Sequence, residues 1–358
     1  MAKTTHTIAV DCGNGYTSAY RALKTPKYVS FPSLRATSTA DSFGLAGLEA
    51  EYETYRWNNT RYAVGDDIHF TRQTPQTHQG RNRYGNEMHQ FLVAVAVAQT
   101  GVKNGTVDLT LLAPPSYYNT VKAAMQDAFN AEGGEVILQL DSERKPRKWT
   151  YSTVRVMPEG VAALCCYWFD DRGKSQGEHM NLFRGRVLVI DIGMHTTDIV
   201  IVEDGKLAVE SLTTASYPDF GVYQKVIKPI VQNVRGDTGL NITLHDVDHA
   251  LRNGIDSGDY TLSYGKHQID LANAMQHYAA KHGAEIADAI LDTEYSGLSD
   301  VARVLVVGGG SAYMDGYLRK WYKGVTDFLD IEGDTGISVI DANARGAMRL
   351  ALMQQRAE

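Results

Sequence analysis

The strongest constraint on this chain is a strand-turn-strand segment that occurs twice. Residues 7–12 (TIAVDC) form a β-branched apolar run through Asp11, turn on Gly13, Asn14 and Gly15, and resume extended character from Tyr16 to Arg21. Residues 187–203 (VLVIDIGMHTTDIVIVE) repeat the plan, with Asp191 at the strand end, Gly193 two residues later, a polar turn and a second apolar run. The two aspartates stand 180 positions apart, half of a chain of 358 residues. That spacing predicts two related halves, because solenoid arrays repeat every ~20–50 residues.

Between and after the hairpins, strand and helix patterns alternate, which predicts α/β architecture. Residues 87–100, 116–131, 219–235, 270–293 and 341–355 read as helices, and 107–113, 136–156 and 301–307 as strands. Met157 to Phe169 reads as a helix opening at Pro158, a residue favoured in a first turn. Residues 31–86, rich in Thr, Asn, Gln, Gly and Tyr, read as an irregular insertion or small subdomain. With no long linker, the halves are expected to touch across a cleft.

Composition excludes several classes. Lys plus Arg number 35 against 42 Asp plus Glu, a net charge of −7, which argues against direct nucleic-acid binding by bulk charge. No run approaches the ~20 apolar residues of a membrane span, and the start MAKTTHTIAV lacks a signal-peptide core, so a cytoplasmic protein without membrane attachment is expected. Three cysteines, Cys12, Cys165 and Cys166, make no disulfide framework.

The chemistry lies in the turns. Glycines after a strand let backbone N–H groups approach a phosphate, and the preceding carboxylate can hold hydrated Mg²⁺ beside it. Asp11 with Gly13 to Thr17 supplies one such turn, and Asp191 with Gly193, Met194, His195 and Thr196 the other. Gly308, Gly309, Gly310 and Ser311, after the strand 301–307, offer a flat backbone platform for a purine and ribose. No GxGxxG dinucleotide fingerprint and no GxxxxGK[ST] loop is present.

Five segments, in order, resemble the actin, sugar-kinase and heat-shock-chaperone ATPase superfamily, and within it the ParM-like actins of bacterial and archaeal plasmid segregation. They are IAVDCGNGYTSAY (8–20), MPEGVAAL (157–164), VLVIDIGMHTTDIVIVEDG (187–205), VLVVGGGSAYM (304–314) and DANARGAMRLAL (341–352); FPS at 31–33 is also similar to a ParM segment. The resemblance implies a two-domain actin-like fold, ribonuclease-H-like and duplicated, with a nucleotide cleft between the domains. Domain I would be 1–160 plus 340–358 with an insertion at 31–86, and domain II 161–339 with a subdomain at about 219–300.

It further implies an ATPase that binds ATP or ADP with Mg²⁺. Asp11 and Asp191 would be the metal carboxylates, Gly13, Asn14, Gly15, Tyr16 and Thr17 the first phosphate clamp, and Gly193 to Thr196 the β- and γ-phosphate contacts. Glu159 would orient the attacking water, with Asp191 positioning metal and water. Gly308, Gly309, Gly310, Ser311 and Tyr313 would border the adenosine, with Gln224 and Lys225 near the base and ribose. One departure stands out: the first turn lacks the Lys that many relatives carry, leaving Thr17 to Ala19 without a cation.

The implied function is a filament that assembles head-to-tail with itself in a nucleotide-dependent way and moves plasmid or phage DNA through a DNA-binding adaptor. A non-polymerising regulatory ATPase and a small-molecule or sugar kinase are the alternatives, the latter lacking a clear base Asp and sugar-binding insertion. His245 and His249 in HDVDH have helical zinc spacing but no third ligand, and a solvated helix end is expected. His267, His277 and His282 are expected to face solvent, and RNRYGNE (81–87) and ERKPRK (143–148) to be solvated loops or subunit contacts. Cys12 is expected to pack inward.

Overall fold

The computed structural model describes residues 4–38, 52–71, 73–78, 80–130, 134–207 and 216–357. Two compact units emerge, one of residues 1–177 with 341–358 and the other of 178–340. The expected boundary at 160 therefore moves to 177.

In the first unit, β1 (Thr5–Cys12), β2 (Tyr16–Arg21) and β3 (Lys27–Pro32) form an antiparallel meander. The strands β4 (Leu34–Thr37), β5 (Tyr55–Trp57), β6 (Thr60–Val64) and β7 (Gln76–Thr77) follow. Next come α1 (Glu87–Gln99), β8 (Asn104–Ala113), α2 (Tyr118–Asn130), β9 (Val136–Leu140), β10 (Arg147–Pro158) and α3 (Val161–Trp168). The sheet order is β3-β2-β1-β8-β10-β9-β5-β6-β4-β7, with β1, β8 and β10 mutually parallel. Parallel strands need covered faces, and α1 provides one cover: Phe91 to Ala98 are wholly buried, as an all-apolar helix must be.

The described residues of 31–86 are not irregular: they hold four short strands, as the small-subdomain alternative would have them. Their short strands join the main sheet where β5 pairs with β9. The stretch reads as polar because its packing uses amphipathic side chains, such as the Arg35 guanidinium 4.5 Å above the Tyr62 ring and 5.5 Å above Phe91.

Pro158 closes β10, paired with Ala113, and opens no helix. Proline costs nothing at a strand end whose N–H is not needed, and Gly160 at φ 72° turns the chain before α3 begins. The closing helix, Ala342–Ala357, packs on α3 so closely that a Cβ on Gly346 would strike the Ala162 carbonyl. Arg345 and Arg349 clasp Asp171 at 2.6 and 2.8 Å, and Asn343 Oδ1 accepts the Gly160 N–H at 2.9 Å. These contacts hold α3 and the loop after it in the first unit.

The second unit repeats the core. It contains β11 (Arg186–Ile192), β12 (Thr196–Glu203), β13 (Lys206–Leu207) and β14 (Ser216–Pro218), then α4 (Lys228–Thr238) and α5 (Leu244–Ser257). There follow the β15–β16 hairpin (Thr261–Tyr264, His267–Asp270), α6 (Ala272–Ile286), β17 (Arg303–Val307), α7 (Ser311–Trp321), β18 (Asp327–Phe328) and α8 (Ile331–Thr335). β11 pairs antiparallel with β12 and parallel with β17, as β1 does with β2 and β8. No helix among the described residues is long and apolar enough to cross a membrane.

Among the described residues three histidines are buried, one of them His282, whose expected place is the surface. His282 on α6 is 1% exposed, beside Phe220, and burial pushes its ring down to about 4. In the first unit, His78 and His89 face each other at 5.2 Å between ring centroids, both 1% exposed. Burial, reinforced by the positive charge of Arg83, lowers them to about 2 and about 3.

Two predictions follow from this packing. Gly346→Val should destabilise the first unit by about 1–3 kcal/mol through overpacking, whereas Gly316→Ala, on an open face of α7, should stabilise by about 0.5–1 kcal/mol through helix propensity; urea melts compare them. Because the folded His78 and His89 hold protons more weakly than the unfolded rings at 6.5, their neutral forms contribute stability that is present above pH 6.5. It is lost as pH falls below that value, at about 1.4 kcal/mol per pH unit for each ring. Urea melts from pH 7.5 to pH 5 should show that slope, and the doubly substituted His78→Asn, His89→Asn chain should flatten it.

Candidate functional site

In the first unit β1 and β2 pair up to Cys12 opposite Thr17, so the chain must reverse across residues 13–16. Gly13 N–H donates to the Tyr16 carbonyl at 2.9 Å, and a Cβ on Gly13 would press that oxygen at 3.1 Å. The second unit builds the same turn: Ile192 lies opposite Thr197, Gly193 N–H donates to the Thr196 carbonyl at 2.8 Å, and a Cβ there would sit 3.3 Å from it. Asp11 opposes Ser18 and Asp191 opposes Asp198, so each carboxylate holds the same register one residue before the last pair. Asn14, Gly15 and Tyr16, like Met194, His195 and Thr196, lie half-buried on these turns.

Not every expected side chain faces outward. Thr17 is wholly buried; its hydroxyl bonds Ser33 Oγ at 2.9 Å and Cys12 Sγ at 3.3 Å, so only its backbone belongs to the turn. Ser33 N–H donates to the Gly15 carbonyl at 2.8 Å, which makes the FPS segment a brace under the loop. The Thr196 hydroxyl donates to Asp198 at 2.8 Å. His195 stacks on Tyr223 with centroids 4.8 Å apart. The hairpin is held to the next helix by Val222 and Tyr223 N–H groups on the Gly193 and Met194 carbonyls, at 3.1 and 2.8 Å. Gly221 permits this approach, since a Cβ there would strike His195 and Met194.

The glycine platform is seated on the second aspartate. Val307 pairs with Asp191, Gly308 turns at φ 89°, and a Cβ on Gly308 would meet the Asp191 carboxylate. Gly310 N–H donates to the Ile192 carbonyl at 2.8 Å, and Ser311 Oγ to the Gly308 carbonyl at 2.6 Å. Gly309 faces the Arg252 guanidinium, which pairs with Asp248 at 3.2 Å. Tyr313 lies beside them, and burial raises its hydroxyl above the usual range. Arg252 went unrecognised in sequence although Asp248 and Arg252 stand at helical ion-pair spacing. Gln224 and Lys225 sit on a π-helical turn, Tyr223–Ile227, engaged with Lys228 at 3.2 Å and Glu285 at 2.6 Å.

Glu159 occupies the turn between β10 and α3, half-buried, with its N–H on the Ala113 carbonyl at 2.9 Å. It is therefore a strand-end acid and not a first-turn helix acid. The segment RNRYGNE also departs from expectation. Arg83, 4% exposed, donates to the Cys12 carbonyl at 3.2 Å and to Tyr84 Oη at 2.6 Å. Only its place directly before Tyr84 and three residues ahead of the helix cap Asn86 could have marked it.

Ligand atoms of Cys12, His78 and His89 lie within 4.8 Å of one another, the grouping of a soft metal site. Two features oppose a metal there. His89 Nδ1 already accepts the Gly85 N–H at 2.9 Å, and Arg83 places its own positive charge within electrostatic reach of all three groups. Burial also pushes the Cys12 thiol up to about 12, which keeps it protonated and inert. His245 and His249 stand 6.3 Å apart on α5 and belong to no such grouping among the described residues.

The family model for the N-terminal domain of actin-like proteins matches residues 9–161, and that for the C-terminal domain of archaeal MreB-like actin homologues matches 189–320. Among solved structures, an archaeal actin homologue in complex with ADP aligns over 99% of this chain and 100% of its own, with 17% identity and a TM-score of 0.73. A ParM protein from a 15-stranded filament of Clostridium botulinum aligns over 98% and 99%, at 18% identity and 0.73. Bacillus thuringiensis ParM with AMPPNP aligns over 99% and 100%, at 16% identity and 0.67. The chain belongs to the actin-like ATPase superfamily, with the two-domain actin-like fold of ParM and the archaeal actin homologues.

Proposed function

We propose that the protein is a cytoplasmic ATPase that forms filaments by head-to-tail self-association and moves DNA through a DNA-binding adaptor. The carrying observation is the twin turn: in each unit a strand-end aspartate precedes a glycine whose amide closes a four-residue reversal. Such turns suit an anion, because backbone amides supply fixed donors without side-chain reorganisation. The donor set also suits the metal, since carboxylate oxygens are the hard ligands Mg²⁺ takes, and a Cβ on Gly13 or Gly308 would crowd the cradle.

In this reading Asp11 and Asp191 hold hydrated Mg²⁺. Backbone groups of Gly13 to Thr17 and of Gly193 to Thr196 hold the phosphates. Gly308 to Gly310, Ser311 and Tyr313 border the adenosine, with Gln224 and Lys225 toward the base and ribose. Bound Mg²⁺ would neutralise charge on the phosphate oxygens. Glu159 accepts a hydrogen bond from the attacking water and orients it, and Asp191 helps position that water.

ParM relatives that assemble into filaments support self-association, and the ADP and AMPPNP complexes of relatives support nucleotide binding. Head-to-tail contacts that do not close generate open filaments, so one heterologous interface suffices. A net charge of −7 favours contact with DNA through an adaptor.

Calorimetry in Mg²⁺ should show Asp11→Ala losing at least about tenfold in nucleotide affinity, about 1.4 kcal/mol; an unchanged affinity removes the first turn from the site. Glu159→Ala should still bind ATP and assemble, while phosphate release slows about 100-fold. Wild-type phosphate release in that variant would exclude Glu159 from the chemistry.

A further inference from the structure

We propose that Arg83 is the fixed cation of the first phosphate turn, a positioning residue that pins the turn's backbone and holds a buried positive charge behind it, within electrostatic reach of Glu159. This rests on the nucleotide reading above.

The stretch from Asp11 to Tyr20 contains no Lys or Arg. Arg21, the next cation along β2, is held at the far end of the strand by the Thr100 carbonyl at 3.2 Å and His6 Nδ1 at 3.0 Å. A phosphate at the turn therefore meets no cation from the hairpin itself. Arg83 supplies one from behind, across 71 residues of sequence.

Its guanidinium donates to the carbonyl of Cys12, the peptide that joins β1 to Gly13. The N–H of that same peptide donates to the Tyr16 carbonyl. One peptide plane is thus fixed from both sides, and it sets the direction in which the following amides of the turn point. The other arm of the fork donates to Tyr84 Oη, and the guanidinium stacks 4.5 Å from the Tyr84 ring, so the group is locked before any ligand arrives.

The surrounding charges keep Arg83 as the positive group there. His78 and His89 are held neutral, and Arg35, the other cation that reaches His78, pairs with Glu87 at 2.6 Å. Burial opposes the charge on Arg83, yet Tyr84 and Glu159 hold the guanidinium more basic than usual. Glu159 also reaches Cys12 electrostatically, so carboxylate, guanidinium and turn peptide form one neighbourhood. In a low-dielectric setting a fixed buried charge acts on an incoming anion without reorganisation.

The test uses the full chain with Arg83→Gln and Arg83→Lys, reading ATP and ADP affinities by calorimetry alongside phosphate release. Arg83→Gln should cut the ATP-over-ADP preference by about tenfold, with ADP affinity within about threefold of wild type. Phosphate release should fall by at least about tenfold, and Arg83→Lys should regain most of both losses. In a Glu159→Gln background, Arg83→Gln should cost no further turnover, because the two act as one unit.

An unchanged nucleotide preference in Arg83→Gln, equal losses for Gln and Lys, or additive losses with Glu159→Gln would each overturn the inference. Should the Gln chain fail to fold, Arg83→Lys carries the test by itself: it should keep the ATP-over-ADP preference and phosphate release within about threefold of wild type, and a loss of about tenfold or more in either overturns the inference. A wild-type chain that binds neither nucleotide defeats the nucleotide reading and this inference with it, whereas binding with an indifferent Arg83 defeats the inference alone.

Discussion

The structure depends on a four-residue reversal in which a glycine amide bonds back to the residue that starts the next strand, once at Gly13 and Tyr16 and again at Gly193 and Thr196. The bond is ordinary in strength, roughly 1 kcal/mol net. Its consequence is geometric, because it sets where β1 and β11 end and therefore where Asp11 and Asp191 project. A parallel neighbour extends each hairpin, β8 in one unit and β17 in the other, and the strand ends that follow carry Glu159 and the Gly308 turn. One local bond thus fixes the end of each sheet at which the candidate chemistry collects.

What lies beneath the turns differs between the units. The first turn is braced by buried polar groups, with the Thr17 hydroxyl on Ser33, Ser33 on Gly15, and Arg83 on Cys12. Buried polar networks of this kind tolerate little, since each group left without its partner costs the full desolvation penalty. The second turn has fewer such bonds, the buried Thr197 hydroxyl on the Phe220 carbonyl at 2.7 Å and Thr196 on Asp198, and rests more on backbone packing, where Gly221, Gly308 and Gly310 admit contacts that any Cβ would block. The first turn therefore recruits charge from distant sequence, and the second obtains closeness from glycine.

The parts legible in sequence were those with local signals. The paired hairpins, the strand leading to Gly308 and the closing helix announce themselves by apolar runs punctuated by Asp and Gly. Pro158 misled because proline suits both a helix start and a strand end, and only the pairing of β10 with β8 decides between them. The strands in 31–86 were hidden because Arg35, Tyr55 and Tyr62 bury rings and a guanidinium where a periodicity rule looks for Val and Ile. Charge and polarity place Arg83 and His282 at the surface, whereas their burial is set by long-range contacts that spacing cannot show. The unit boundary moved for the same reason, since Gly346 and Asp171 bind α3 to a helix nearly two hundred residues later.

The central claim, that twin phosphate turns couple nucleotide to self-assembly, is tested most directly by right-angle light scattering of the full chain at several concentrations with Mg-ATP, Mg-ADP, or ATP plus a chelator. The account predicts a rise above a critical concentration that requires Mg-ATP and decays as phosphate is released. A flat trace at every concentration, while ATP is being hydrolysed, would contradict it.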